Sequence, residues 1–348
     1  MRVRIHPAAG LALAAVLPLL LGPGSSALGT MVLAAAYAMM ALGLNVVVGF
    51  AGLLDLGYVA FYAIGAHVAG YFGSTFWAGA LDGRRISVLV SGPAARMPGI
   101  HVSFLFVMVL AIAATTLAGV LIGVPTLRLR GGYVAVVTLA FGELIGQVVS
   151  NGGNIRVLGG TLTGGPSGIS ALDPVDLPLL APFGALDLRP WFWFALVLVA
   201  AVVVIDVRLR DSRVGRAWRA MRDDEAAAAC AGVPIVRTKL LAYGVGAAMG
   251  GVSGAFLATY LGTVNPGEFT FSFSVFILAM VVLGGLGSIG GVVLGAIALA
   301  GFNSYLLPDV LRGLPGAIGL DFDLSQVASG IYGLLLVVVM LLRPDGLA

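Results

Sequence analysis

Asp211 to Lys239 reads DSRVGRAWRAMRDDEAAAACAGVPIVRTK, the one long polar segment with helical periodicity in an otherwise apolar chain. Val214, Ala217, Trp218 and Met221 recur at i, i+3, i+4 and i+7, so they draw one apolar stripe, with Arg213, Arg216, Arg219, Arg222, Asp223 and Asp224 around it. Asp211 or Ser212 is placed to cap its start, and Gly232 followed by Pro234 to stop it. With Arg208 and Arg210 just upstream, the stretch holds eight of the nineteen basic residues. An amphipathic helix set between long apolar runs is expected to lie outside the bilayer and to offer its stripe to a partner. The competing reading is a helix resting on lipid headgroups.

Working outward, the composition agrees. The chain has 348 residues, 59% hydrophobic and only 10% charged, where a soluble globule carries roughly a quarter charged. It reads as an all-α polytopic membrane protein, a single transmembrane domain over residues 1–348 with a cytoplasmic segment at 208–238 inside it. The net charge is +3, and the basic residues cluster beside apolar runs, so they report membrane orientation and give no sign of nucleic-acid binding. The lone Cys230 excludes an internal disulfide and leaves no cysteine cluster for zinc.

About ten spans are expected. The first is Ala8–Leu21, although its basic start, short apolar core and small residues to Ala27 also fit a signal peptide. The second is Leu28–Val48. The third is interrupted by Gly49, Gly52 and Gly57 and contains Asp55; such breaks at membrane depth survive only where backbone is buried in protein or lines a cavity. A loop at 74–99 precedes span four (Ile100–Val124) and span five (Tyr133–Val149), which carries Glu143. Span six (Trp191–Val207) opens with the interfacial anchor WFWF, and spans seven to ten are Leu240–Leu261, Phe273–Leu286, Ile289–Leu307 and Val327–Leu342. This count puts thirteen basic residues on the cytoplasmic face and six outside, with both termini cytoplasmic.

Span seven has Ala242, Gly246, Gly250, Gly254 and Ala258 at four-residue spacing, a face smooth enough for close backbone approach. VVLGGLGSIGG (Val281–Gly291) loosely echoes VVVGFAGLLDLG (Val46–Gly57), which suggests a pseudo-symmetric inverted repeat of spans two to five and seven to ten. Catalytic motifs are missing: there is no P-loop, GxSxG or HExxH, and His6, His67 and His101 are isolated in sequence. No catalytic or metal-ligating residue is expected, and no cofactor. Asp55, Glu143 and His67 are ionisable groups inside spans, either lining a polar path or bonded to exposed backbone at a helix break.

ALGLNVVVGFAGLLDLGYVAFYAIGA (Ala41–Ala66), TLRLRGGYVAVVTLAFGELI (Thr126–Ile145), LTGGPSGI (Leu162–Ile169), GRAWRAMRDDEAAAACAGV (Gly215–Val233), LAMVVLGGLGSIGGVVLGA (Leu278–Ala296) and RPDGL (Arg343–Leu347) together resemble the permease subunits of branched-chain amino acid ABC importers, of the LivM type. The resemblance implies the ABC importer permease fold and a pore built with a second permease of the LivH type. It also implies two ABC ATPase subunits, which bind the ATP, a periplasmic substrate-binding protein, and a multi-pass location in the bacterial inner membrane. It makes Gly215–Gly232 the segment that docks on an ATPase, with Gly215, Arg216, Trp218, Met221, Glu225, Ala226 and Gly232 as coupling residues. Gly52, Asp55, Gly57, Tyr58, Gly284, Gly285 and Gly287 then line the translocation path, to which Glu143 is added as a buried acid. Asp55, Gly132 and the 74–99 loop depart from the family pattern. Relatives with these motifs carry urea, short amides or other small metabolites, so the substrate class stays open; a stand-alone ion-coupled transporter is the remaining alternative.

Overall fold

The computed structural model describes residues 16–304 except 91–93, 128, 130, 131, 158, 177–181 and 185, and beyond them 330, 333, 334, 337, 338 and 341. Most of the first and last expected spans therefore lies outside the described residues. Five helices are long and apolar enough to cross a membrane, at Ser26–Phe50, Phe104–Thr126, Gly132–Asn154, Arg189–Asp211 and Ile235–Leu261, and three apolar helices are shorter, at Val59–Phe72, Phe271–Gly284 and Ile289–Ser304. Expected spans three, eight and nine correspond to these short ones, and a glycine break adjoins each of them among the described residues.

Helix α1 (Ser26–Asn45) starts where the Ser25 hydroxyl accepts from the Leu28 amide at 3.3 Å, and it loosens into a π-helical turn at Val46–Phe50. After a non-helical stretch come α2 (Val59–Phe72), α3 (Phe104–Thr126), α4 (Gly132–Asn151) and α5 (Arg189–Asp211). Two short helices, α6 (Arg213–Asp223) and α7 (Glu225–Cys230), precede α8 (Ile235–Leu261), α9 (Phe271–Gly284) and α10 (Ile289–Gly301). The Leu188 amide donates to Pro23 O at 2.9 Å and Arg189 Nη2 to Leu21 O at 2.9 Å, which ties the start of α5 beside the start of α1. The far end of α5, with Arg208 and Arg210, leads straight into α6 and α7, and this is the basic end of the molecule.

Helix α8 is the hub. Ala242, Gly246, Gly250, Gly254 and Ala258 are all buried, and three other helices press onto its small side chains. Gly246 meets the backbone of Gly43 on α1, Gly254 meets that of Tyr62 on α2, and Gly119 of α3 meets that of Tyr243. A Cβ on Gly250 would stand 3.0 Å from Phe61 Cβ and 3.1 Å from Tyr58 Oη. Lipid tails are as apolar as leucine, so such van der Waals contact, with no larger side chain in the way, is what holds membrane helices together.

The opposite end is not purely helical, which corrects the all-α expectation. There β1 (Gly73–Ser74) and β3 (Gly99–Val102) are antiparallel and β2 (Arg85–Val88) runs parallel to β3; β4 (Arg156–Val157) pairs with β5 (Gly160–Thr161), and β6 (Ile169–Ser170) with β7 (Thr263–Val264), both antiparallel. Part of the 74–99 loop is thus sheet, and span four begins only at Phe104. His101 is not isolated: fully buried in β3, it holds Asp173 Oδ2 through Nδ1 at 2.6 Å. Burial raises the Asp173 carboxyl while the histidine pulls it back down.

Candidate translocation and coupling site

The stretch Ala51–Tyr58 gives up helical hydrogen bonds inside an apolar molecule, so each freed amide needs a partner. The Leu56 amide donates to Thr138 Oγ1 of α4 at 3.0 Å, the Val59 amide to Ser274 Oγ of α9 at 3.1 Å, and the Gly57 amide to Asp55 Oδ1 at 2.9 Å. Tyr58 Oη donates to the Gly246 carbonyl of α8 at 2.7 Å. A Cβ on Gly57 would overlap the Thr138 carbonyl, so only glycine lets α4 approach here. Asp55 is 2% exposed, and its Oδ1 braces the break. His67 likewise bonds its own helix, with Nδ1 2.8 Å from Ala63 O.

The second break lies between α9 and α10, where Gly285 and Gly287 take φ of 100° and 86°, the left-handed region that favours glycine. Ser288 then caps α10 by accepting from the Gly291 amide at 3.1 Å. Gly284 and Gly285 are buried, and Gly287 is half-buried. The two breaks touch: the Gly287 amide donates to Oδ1 of the fully buried Asn45 at 2.8 Å, and a Cβ on Gly49 would strike both Asn45 Oδ1 and Gly287 N. Arg222 of α6 completes the junction. Its Nη1 donates to the Gly49 carbonyl and lies beside Gly287, and its Cγ would be 2.8 Å from a Cβ on Gly52, itself at φ 71°. One guanidinium therefore reaches from the polar segment into the place where the two glycine breaks meet.

That segment is two helices. Ser212 caps α6, accepting from the Val214 and Gly215 amides at 3.1 and 3.2 Å, and a Cβ on Gly215 would strike the Leu209 and Arg210 carbonyls as the chain turns back. Asp224 interrupts the helix and caps α7 through the Ala226 and Ala227 amides at 2.8 and 3.0 Å; Gly232, at φ 87°, follows its end. The apolar stripe is not offered outward. Trp218 is fully buried and Met221 is 4% exposed, and Trp218 Nε1 donates to the Thr238 carbonyl of α8 at 2.9 Å. The turn at Ser212, which Gly215 lets pack closely against the end of α5, folds α6 onto the first turn of α8, and the stripe covers it, so neither side chain is free to insert into a partner. Glu225 Oε1 pairs at 2.8 Å with Nζ of Lys239, the single lysine of the chain, itself 2% exposed. Among the residues that face out are Arg213, Arg216, Arg219, Ala226, Ala227 and Gly232.

Glu143 is exposed on the outer face of α4, four residues before the equally exposed Gln147 and beside Leu144, which is 57% exposed. It is apart from the Asn45–Gly49–Arg222–Gly287 junction. Sequence reading missed Asn45, Arg222 and Lys239 as site residues. Arg222 carries a faint signal, as the arginine next to Met221 on the stripe, whereas nothing local marks Asn45. Among the described residues no group of three His, Cys, Asp or Glu is placed to hold a metal ion.

The family model described as branched-chain amino acid transport system / permease component matches residues 26–340. The chain is 33% identical to the high-affinity branched-chain amino acid transport system permease protein LivM of Salmonella typhimurium, over 97% of this chain and 73% of that protein, and 34% identical to LivM of Escherichia coli over the same shares. It is also 29% identical, over 44% of this chain and 45% of the relative, to the permease protein LivH of Escherichia coli. No solved structure matches.

Proposed function

Because the chain belongs to the branched-chain amino acid transport system permease family, we propose that it is the LivM-type half of an ABC importer that carries branched-chain amino acids across the bacterial inner membrane. The family match from residue 26 to residue 340 carries this reading. Two separate ATPases supply the energy and a periplasmic binding protein delivers the ligand. The basic end faces the cytoplasm by the positive-inside rule, with both chain termini on that side.

In this reading α6 and α7 dock on an ATPase through their exposed basic and alanine faces, with Arg216, Ala226 and Gly232 at the contact. Trp218, Met221 and the Glu225–Lys239 pair hold the segment rigidly to α8. Arg222 transmits its displacement to the two breaks, and Gly52, Gly57, Tyr58 and Gly284 to Gly287 belong to the element that opens and closes. The two helix-break-helix units, around Gly49–Tyr58 and Gly285–Ser288, support an inverted repeat. Glu143 and Gln147 face the second, LivH-type permease, since an ionisable side chain left in lipid is costly and in membrane proteins turns toward protein or a watery path.

Uptake of radiolabelled leucine, isoleucine and valine by cells with and without the gene tests the reading, with urea as the competing substrate. Depleting ATP at constant membrane potential stops uptake if ATPases drive it. Undiminished uptake under that treatment would point to an ion-coupled carrier instead.

A further inference from the structure

At the end opposite the basic one, the short turn Pro266–Glu268 and the outer ends of α9 and α10 border with α1 an open cleft of about 210 Å³. That is more than ten times the ~10–15 Å³ a single water needs, and it admits a molecule of amino-acid size. Tyr37, Phe273 and Phe276 form its apolar wall, with Tyr37 edge-on to Phe273 and Phe276 at centroid distances of 5.8 and 5.6 Å. Glu268 supplies its one acidic group. Tyr62 Oη donates to Glu268 Oε2 at 2.5 Å, which fixes the carboxylate, and among the described residues no cation pairs with it. Burial pushes this carboxyl up, and the tyrosine bond only partly offsets that.

A half-buried carboxylate that no described residue pairs with a cation, held in one orientation against aromatic rings, has the chemistry to receive a primary ammonium. It offers a charge-assisted hydrogen bond, and ring faces favour a cation nearby. The same rings suit a branched aliphatic side chain. We propose that this cleft is a binding subsite for the zwitterion with a branched apolar side chain, with Glu268 taking the ammonium group and Tyr62 positioning Glu268. The subsite rests on the transport reading above and adds to it a place where this chain itself touches the ligand.

Glu268→Gln is the informative variant, because the amide oxygen still accepts from Tyr62 while the charge is gone; a Glu268 that merely anchors Tyr62 would not notice the change. In the complete importer, with Cys230→Ala removing the native thiol, Ser272→Cys at the cleft reports occupancy through its rate of modification by a membrane-impermeant maleimide on this chain. Leucine is expected to slow modification, and 4-methylpentanoate, which has the same skeleton and carboxylate but no ammonium, is not. Glu268→Gln is expected to weaken protection by leucine about tenfold or more, the effect of one charge-assisted hydrogen bond. Equal protection by both compounds, protection by neither, or protection unchanged in Glu268→Gln would overturn the subsite. Equilibrium dialysis of radiolabelled leucine against detergent-solubilised wild-type and Glu268→Gln complexes measures the same loss of affinity without the cysteine. Wild-type uptake under ATP depletion tests the transport reading separately, so the two fail independently.

Discussion

Replacing Arg222 by alanine severs the side-chain hydrogen bond that links the α6–α7 segment to the glycine breaks, the one to the Gly49 carbonyl. A hydrogen bond from a charged donor contributes about 1.5–3 kcal/mol. Arg222 is exposed along part of its length, so solvent replaces some of the loss and the low end, ~1.5 kcal/mol, applies. That is about tenfold in the population of the engaged junction. Arg222→Lys keeps the charge but loses the planar fork that reaches the Gly49 carbonyl while lying beside Gly287, and is expected to recover only part of it. The assay is the number of ATP molecules hydrolysed per leucine transported, in proteoliposomes carrying the complete importer. Transport is expected to fall about tenfold while hydrolysis continues, so the ratio rises. Arg216→Ala is the control: Arg216 is exposed and bonds the nearby Asp211 carbonyl, at 3.2 Å, so its loss should weaken ATPase docking without raising the ratio. An unchanged ratio in both Arg222 variants, at normal assembly, would refute the strut.

Trp218→Ala is expected to destabilise the folded-back segment by about 3–5 kcal/mol, the cost of emptying a buried aromatic site, and it also removes the Nε1 bond to the Thr238 carbonyl; trypsin should then cut faster at Arg216 and Arg219, and an unaltered cleavage rate would mean that the stripe is not a buried contact. Glu225→Gln leaves the buried Lys239 ammonium without its counter-ion and should cost roughly 1–3 kcal/mol, less than for a fully buried pair because the Glu225 side chain is 38% exposed; adding Lys239→Met should restore thermal stability, and failure of that rescue would argue against a charge penalty. Gly250→Leu forces a branched side chain against Phe61 and Tyr58 and is expected to lower the yield of monodisperse complex, by an overpacking cost of about 1–3 kcal/mol; a normal yield would show that α8 can shift to make room.

What the sequence made legible was local. The Ser212 cap, the left-handed Gly232 and the small-residue face of α8 each depend on residue type and short spacing, and all three appear in the structure. The stripe Val214–Trp218–Met221 also shows which side of α6 is apolar. Periodicity cannot say what covers that side, and the answer lies in the turn at Ser212, which brings the stripe onto α8 of the same chain. The second cap at Asp224 was readable, as an aspartate followed by a run of helix formers, but it was hidden inside a pattern that continued well enough across it. Asn45 to Gly287 and His101 to Asp173 span 242 and 72 positions; such pairs are set by how helices assemble, and no local signal marks them. Asp55 shows the same limit, since its position in a broken span marks it as unusual without separating a bracing role from a path-lining one.

The place of α8 at the centre has a consequence for biogenesis. Its neighbours α1, α2 and α3 are synthesised first, and more than a hundred residues separate the end of α3 from the start of α8. At ~5–20 residues per second the early helices wait on the order of 5–20 s in the membrane with their glycine-lined surfaces unfilled. During that interval other small-faced helices are competitors for the same grooves, and the insertion machinery or the second permease has to keep them apart until residue 235 arrives.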